Sequence, residues 1–382
     1  MERETEFLIV GSGIAGASAA YNLARGHRVI MLERESQPGY HSTGRSAAVF
    51  TEIYGNDVIR ALSVASAGLY GAPPSNFSEV PLWSPRPMLM IGRADQRGKV
   101  ESLLAETISL VPNLRILERD EVLRVAPILD ESYVDCALVE PDSYDLDVNA
   151  IHVGFLRGAR EMGAQLVVNA EVRVIDRSAS GWRVSTSAGD FAARVVIDAA
   201  GAWADEIARI AGVPGIGLTP KRRTAFTFAF EPEMDVRSLP TVIDIDEEFY
   251  FKPDSGRLLG SPADETPVAP CDAQADEYDI AVAIDRITRA TKLKVTSLKS
   301  RWAGLRSFVE DKSPVVGFDD AARGFFWLAA QGGYGIQTAP ALGRIAAALA
   351  TGAELPSDVV ALGVDAERLS PQRAGLNRRG PA

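Results

Sequence analysis

The sequence predicts an α/β fold, α+β overall, in which a Rossmann-type nucleotide-binding domain carries an inserted antiparallel-sheet domain for a substrate. Three observations point there: a strand, glycine turn, helix and strand at the start, alternating apolar runs in the middle, and a return to buried α/β segments near the end. Phe7-Leu8-Ile9-Val10 reads as a buried strand, Ile14 to Ala24 as a helix of small residues stopped by a Gly26 cap, and Val29 to Leu32 as the next strand. Such a unit within about 30 residues is a parallel, right-handed βαβ motif.

Further along, Asp147 to Met162 reads as a helix and Gln165 to Asn169 as a strand, while Ala193 to Ala199 is a buried strand running into Ala200-Gly201-Ala202-Trp203. Between Leu218 and Pro262 the runs Ala225 to Phe230 and Phe249-Tyr250-Phe251 predict antiparallel strands. Phe325 to Ala330, the turn Gln331-Gly332-Gly333-Tyr334-Gly335 and a helix to about Ala350 resume the first style. The expected organisation is a discontinuous nucleotide domain (1–78, 144–213 and 308–366), a substrate domain (79–143 and 214–307) and a polar tail (367–382).

Composition excludes several classes. Of 382 residues, 46% are apolar and 24% charged, and 40 basic against 51 acidic residues leave a net charge of −11, which opposes binding to nucleic acid or anionic lipid. Cys136 and Cys271 are too far apart for a metal knuckle and too few for a secreted disulfide framework, so a reducing cytoplasm is expected. His27, His41 and His152 show no paired ligand spacing, and no metal site or histidine-based triad is expected. Glu2, Glu4 and Glu6 precede the first apolar run, unlike a signal peptide, and no stretch reaches the roughly 18 apolar residues of a membrane span. No coiled-coil pattern appears, and a monomer is expected.

In Gly11-Ser12-Gly13-Ile14-Ala15-Gly16 the glycines divide three tasks: a tight turn, close backbone approach to a pyrophosphate, and close packing of helix on strand. The helix start offers N–H groups to phosphates, and Glu33, about 20 residues on, suits ribose hydroxyls. This motif does not choose between FAD and NAD. His41-Ser42-Thr43-Gly44-Arg45-Ser46 combines hydroxyls, glycine and a cation, suiting a second contact with pyrophosphate; alone, it also reads as a polar surface loop. The turn at residues 332–336 can aim N–H groups and a helix dipole at one edge of a flavin, or simply join a strand to a helix.

Six separated blocks then resemble the D-amino acid oxidase superfamily of FAD-dependent oxidoreductases, in particular its branch of bacterial D-arginine dehydrogenases. They are residues 39–48 (GYHSTGRSAA), 84–87 (SPRP), 220–223 (PKRR), 249–254 (FYFKPD), 302–308 (WAGLRSF) and 331–338 (QGGYGIQT). The resemblance implies FAD contacts at Gly11, Gly13, Ile14, Ala15, Gly16, Glu33 and Arg34, and at Ser42, Thr43, Gly44, Arg45, Ser46, Ala47, Ala48 and Val49. It implies others at Val172, Gly201, Trp203, Gly304, Gly332, Gly333, Tyr334, Gly335, Ile336, Gln337 and Thr338. Neither cysteine lies in these blocks, so the FAD is expected to be non-covalent.

The resemblance also places Arg223 and Arg306 on the substrate carboxylate, Tyr54 and Tyr250 beside the substrate, and the Gly333 carbonyl on its amine. A guanidinium binds a carboxylate through two parallel hydrogen bonds, though an arginine in a strand is more commonly an ion-pair partner. Two positions depart from the D-arginine pattern. Met88 stands where that branch has a glutamate for the guanidinium, and Val49 where it has a histidine. An apolar Met88 pairs no cation, so a neutral or apolar substrate side chain is expected, with Glu52 as an alternative source of a carboxylate. The implied reaction is oxidative deamination of a D-amino acid, hydride passing to flavin N5 and the imine hydrolysing to a 2-oxo acid and ammonia. Oxidation of secondary amines or 2-hydroxy acids, and a non-catalytic dinucleotide-binding role, stay open, as does the electron acceptor: oxygen, a quinone or another.

Overall fold

The computed structural model describes residues 2–378. At its centre Arg3–Val10 pairs in parallel with Val29–Leu32 on one side and Gly189–Asp198 on the other. Gln165–Val167 and Phe325–Ala329 extend the parallel sheet at either end, and Val172–Ser178, Gly181–Thr186 and Val315–Phe318 add antiparallel strands. Alternate side chains of these strands part to opposite faces. Ile9, Met31 and Phe326 join one apolar layer with the helices Ile14–Leu23, Val148–Glu161 and Gly335–Thr351, whereas Leu8, Val10, Ile30 and Trp327 join the other with Ala204–Ile210. Each such side chain contributes about 1.5–3 kcal/mol when fully buried. Covering both faces is why these strands read as unbroken apolar runs.

The second sheet runs through Thr266–Pro267, Thr219–Glu231, Arg257–Ser261, Tyr250–Asp254, Thr241–Asp244, Met88–Gly92, Cys136–Glu140 and Arg115–Glu118, with Lys294–Phe308 also paired to Thr219–Glu231. Its pairs are antiparallel except that Thr241–Asp244 runs parallel to Met88–Gly92. A small third sheet of Val49–Phe50, Tyr144–Leu146 and Trp83–Pro85 stands between them in the chain.

Several expected boundaries move. The first helix ends at Leu23, and Gly26 is not its left-handed cap: the N–H groups of Gly26 and His27 both donate to the Leu23 carbonyl, closing the turn without a positive φ. The strand expected over 165–169 stops at Val167. Asp147 is the cap of its helix rather than its first turn, its side chain accepting from the Ala150 N–H at 2.8 Å. The expected polar tail is packed as far as it is described, because Leu369 is buried and the Arg373 guanidinium binds Asp311 at 2.6 Å. Residues 379–382 of that tail lie outside the described residues. No helix among the described residues is long and apolar enough to cross a membrane, and no cluster of His, Cys, Asp and Glu among them is fit to hold a metal.

Candidate active site

The glycine loop takes the shape its spacing predicts. Gly11 has φ of +100°, and a Cβ there would lie 2.5 Å from the Ala199 carbonyl oxygen. A Cβ on Gly16 would lie 2.0 Å from the Gly11 carbonyl oxygen, so helix and turn touch through backbone. Gly13 opens the helix with no side-chain cap of its own, while the Thr43 hydroxyl, from the second loop, accepts from the Ile14 N–H at 3.0 Å. Glu33 accepts from the N–H and hydroxyl of Ser12 at 3.2 and 2.7 Å, and His152 donates to the Ser12 carbonyl at 2.7 Å. Burial holds His152 below the usual imidazole range, so it serves as a neutral donor.

Three cavities run on from this loop and share their walls. The first, ≈ 240 Å³, is lined by Gly11, Gly13, Glu33, Arg34, Ser42, Thr43, Val172, Gly201 and Trp203. The second, ≈ 150 Å³, shares Gly13, Ser42, Thr43 and Gly201 with it and adds Ile14, Ala15, Arg45, Ser46, Ala47, Gly304, Gly332, Gly333, Gly335 and Ile336. The third, ≈ 80 Å³, shares Arg223, Tyr250, Arg306 and Gly333 with the second and adds Ala48, Val49, Tyr54, Met88 and Gln337. Gly16, Gly44, Tyr334 and Thr338 line none of the three: Gly16 and Gly44 pack against backbone, Tyr334 faces a wider outer recess, and the Thr338 hydroxyl donates to the Tyr334 carbonyl.

Some predicted contacts are turned to the protein itself. Arg45 donates to the carbonyls of Ala273 and Ala303 at 2.9 and 3.1 Å and pairs with Asp272, fastening its loop to the second sheet. Arg34 lies over the Trp203 ring at 4.3 Å. Glu52, the alternative carboxylate, does not line the third cavity, but Glu247 does. Cys136 is buried in another apolar cluster and Cys271 is exposed, and neither lines the cavities.

The two arginines reach one place by register. Arg223 lies directly opposite Gly304, and Arg306 is two residues further along that strand, so both project from one face. Arg222, between them in alternation, turns to Asp279 and Asp264 instead. Arg223 is steadied from behind by the Asp264 carbonyl at 2.8 Å and Glu265 at 3.4 Å. The Arg306 side chain makes one hydrogen bond among the described residues, a 3.5 Å contact to the Tyr54 hydroxyl, which in turn donates to Glu247 at 2.9 Å. Burial pushes the Tyr54 phenol above its usual range, so it stays a donor. Gly333 lies against the Arg306 guanidinium, where a Cβ would sit 2.6 Å from Nη1, and the Gly332 N–H donates to the Ser307 carbonyl at 2.9 Å.

These residues fit FAD. A helix start without a side-chain cap faces the channel at each end, at Gly13–Ile14 and Tyr334–Gly335. Two buried side-chain nitrogens without a partner line it as well, His41 Nδ1 in the first cavity and Gln331 Nε2 in the second. Residues 6–349 match the DAO family, described as FAD dependent oxidoreductase.

The chain belongs to the DAO family. It is 23% identical over 379 residues to mitochondrial dimethylglycine dehydrogenase of Rattus norvegicus, covering 94% of this chain and 44% of that protein. The chain thus spans less than half the length of that relative. It is 25% identical over 395 residues to glycine oxidase of Geobacillus kaustophilus, covering 94% of this chain and 96% of the relative. The crystal structure of glycine oxidase from Geobacillus kaustophilus superposes with a TM-score of 0.84 at 22% identity, covering 97% of this chain and 99% of that one. The DAO fold therefore accounts for the two large sheets together, and FAD is the family's cofactor.

One buried acid escaped the sequence reading. Glu140 is fully buried opposite Met88, accepting from the Thr51 hydroxyl at 2.5 Å and the Glu52 N–H at 2.7 Å. Burial, with Glu52 and Asp142 nearby, pushes its carboxyl from the usual 4.5 up to about 8. A carboxyl raised in the folded state favours folding fully below pH 4.5, and that contribution is lost as pH rises through about 8. Glu140→Gln keeps a carbonyl for Glu52 and an amide donor for Thr51 and removes the titration. Its melting temperature relative to wild type should climb between pH 5 and pH 9, and a difference independent of pH would show that Glu140 ionises normally.

Proposed function

We propose that this DAO-family protein oxidises an amino acid at the carbon bearing its amine, and specifically deaminates a D-amino acid with a neutral or apolar side chain to the 2-oxo acid and ammonia. The observation that carries this is the convergence of Arg223 and Arg306, with Gly333 beside them, in a small cavity that adjoins the one lined by Gly332 and Gly335. FAD, when bound in the channel, would supply a two-electron acceptor for hydride from the substrate carbon. Residues 1–78, 144–213 and 308–366 would hold that cofactor, without a covalent bond, and 79–143 and 214–307 the substrate.

Arg306 presents its guanidinium to the carboxylate and Arg223, already oriented by Asp264 and Glu265, closes on the second oxygen. The Gly333 carbonyl receives the amine, and Tyr54 and Tyr250 flank the carbon chain. Met88 and Val49 give the side-chain end an apolar wall, which disfavours a cation. No His or Lys lines the third cavity among the described residues, and Glu247, which does, is engaged by the Tyr54 hydroxyl, so no protein base is assigned and orientation does most of the work. The D configuration is supported by the likeness of six blocks to the D-arginine branch.

Similarity along 94% of the chain to a dimethylglycine dehydrogenase favours a second reading, oxidation of an N-methylated amino acid by the same clamp. Anaerobic mixing with D- and L-amino acids, glycine, N-methyl and N,N-dimethylglycine and 2-hydroxy acids, followed at the flavin absorbance, separates the two. D-amino acids should bleach the flavin fastest; bleaching by N-methylated compounds or hydroxy acids alone would sink the first reading.

A further inference from the structure

The wall of the third cavity carries a hydroxyl with nothing to bind. Thr241 is 1% exposed, lines the cavity, and its Oγ1 has no hydrogen-bond partner among the described residues. The neighbouring hydroxyls of Thr51 and Tyr54 differ, since they already donate to Glu140 and Glu247. Thr241 pairs with Met88 across the one parallel junction of the second sheet, so the two side chains share the cavity face, and Ile243 follows two residues on. Burying a hydroxyl unpaired is unfavourable, and valine, of the same shape, would fill this position without that cost.

We propose that Thr241 is a specificity-determining residue whose hydroxyl meets an uncharged hydrogen-bonding group, a hydroxyl or a carboxamide, on the substrate's side chain. The inference rests on the reading that Arg223 and Arg306 hold the carboxylate of an amino acid. It narrows that reading from neutral or apolar to neutral and polar. The side chains that flank Thr241 on that face, Met88 and Ile243, are apolar, which suits an uncharged group there, and Glu247, the acid that lines the cavity, already accepts from the Tyr54 hydroxyl. The cavity of ≈ 80 Å³ limits the side chain to a short one.

The test pairs isosteric substrates with isosteric variants of the FAD-loaded protein. D-threonine is compared with D-valine, D-serine with D-2-aminobutyrate, and D-asparagine with D-leucine, in wild type, Thr241→Val and Thr241→Ser, by anaerobic flavin reduction. Wild type should favour the polar member of at least one pair by about tenfold or more, T241V should erase that preference, and T241S should keep it. No preference in wild type, or one that survives in T241V, overturns the role of Thr241 while leaving D-amino acid oxidation standing. If no D-amino acid reduces the flavin of any of the three proteins, the underlying reading falls and this inference falls with it.

Discussion

Arg306→Met is expected to lower kcat/KM for the preferred substrate by about 10²- to 10⁴-fold and to leave the melting temperature unchanged or higher. Hydrogen bonds to charged groups contribute about 1.5–3 kcal/mol each, and a guanidinium offers a carboxylate two of them. At about 1.4 kcal/mol per factor of ten, their loss spans that range. Stability should not follow, because Arg306 has only the long contact to Tyr54, and Tyr54 keeps its bond to Glu247 when the arginine is gone. Removing a half-buried cation also ends its desolvation cost. Arg306→Lys should recover only part of the rate, since an ammonium is a point charge without the planar fork. Steady-state kinetics and thermal melts on the same preparations check both halves, and an R306M rate within threefold of wild type would place the carboxylate elsewhere.

The second large effect is expected in the first loop, where three glycines should fail differently. Gly16→Ala sets a Cβ 2.0 Å from the Gly11 carbonyl oxygen, and Gly11→Ala adds a left-handed φ to a 2.5 Å clash with Ala199; in both the obstacle is backbone. Each should cost about 3 kcal/mol or more and give little soluble protein. At Gly13 a Cβ would meet only the Thr43 hydroxyl at 3.1 Å, and φ is −65°. Gly13→Ala should therefore fold with a near-normal far-ultraviolet spectrum but emerge with most of its flavin lost, because the methyl group stands where the backbone must approach a phosphate. Absorbance near 450 nm per chain decides it, and a fully yellow G13A would show that the loop does not carry the cofactor.

These expectations differ in how far the sequence alone supports them. The glycine loop, Glu33 and the flanking strands were legible because their signals are local: runs of buried residues and spacings within about 30 positions. The placement of Arg223 and Arg306 on one face was less so, since it depends on which residue pairs with Gly304 across two long strands. Arg222 and Arg223 are indistinguishable as letters, and only register sends one to Asp279 and the other to the cavity. Glu140, Thr241 and Met88 come together across three strands far apart in the chain, a row no local pattern announces. The Gly26 cap failed for a related reason. Glycine permits a left-handed turn without requiring one, and two N–H groups sharing the Leu23 carbonyl made it unnecessary.

The fastening of the second loop to the second sheet bears on how the channel is assembled. Ser42 donates to the Leu305 carbonyl across 263 residues, Arg45 to the Ala303 carbonyl across 258, and the Trp302 indole returns to the Arg45 carbonyl across 257. Contacts of such sequence separation carry a large loop-closure cost, so this seam is expected to close late in folding and to open early in partial unfolding. A dinucleotide lying along it would act as a splint across the joint. At a hundredfold excess over its dissociation constant it would add about 2.7 kcal/mol to the folded state, making cofactor supply a determinant of how long the chain survives.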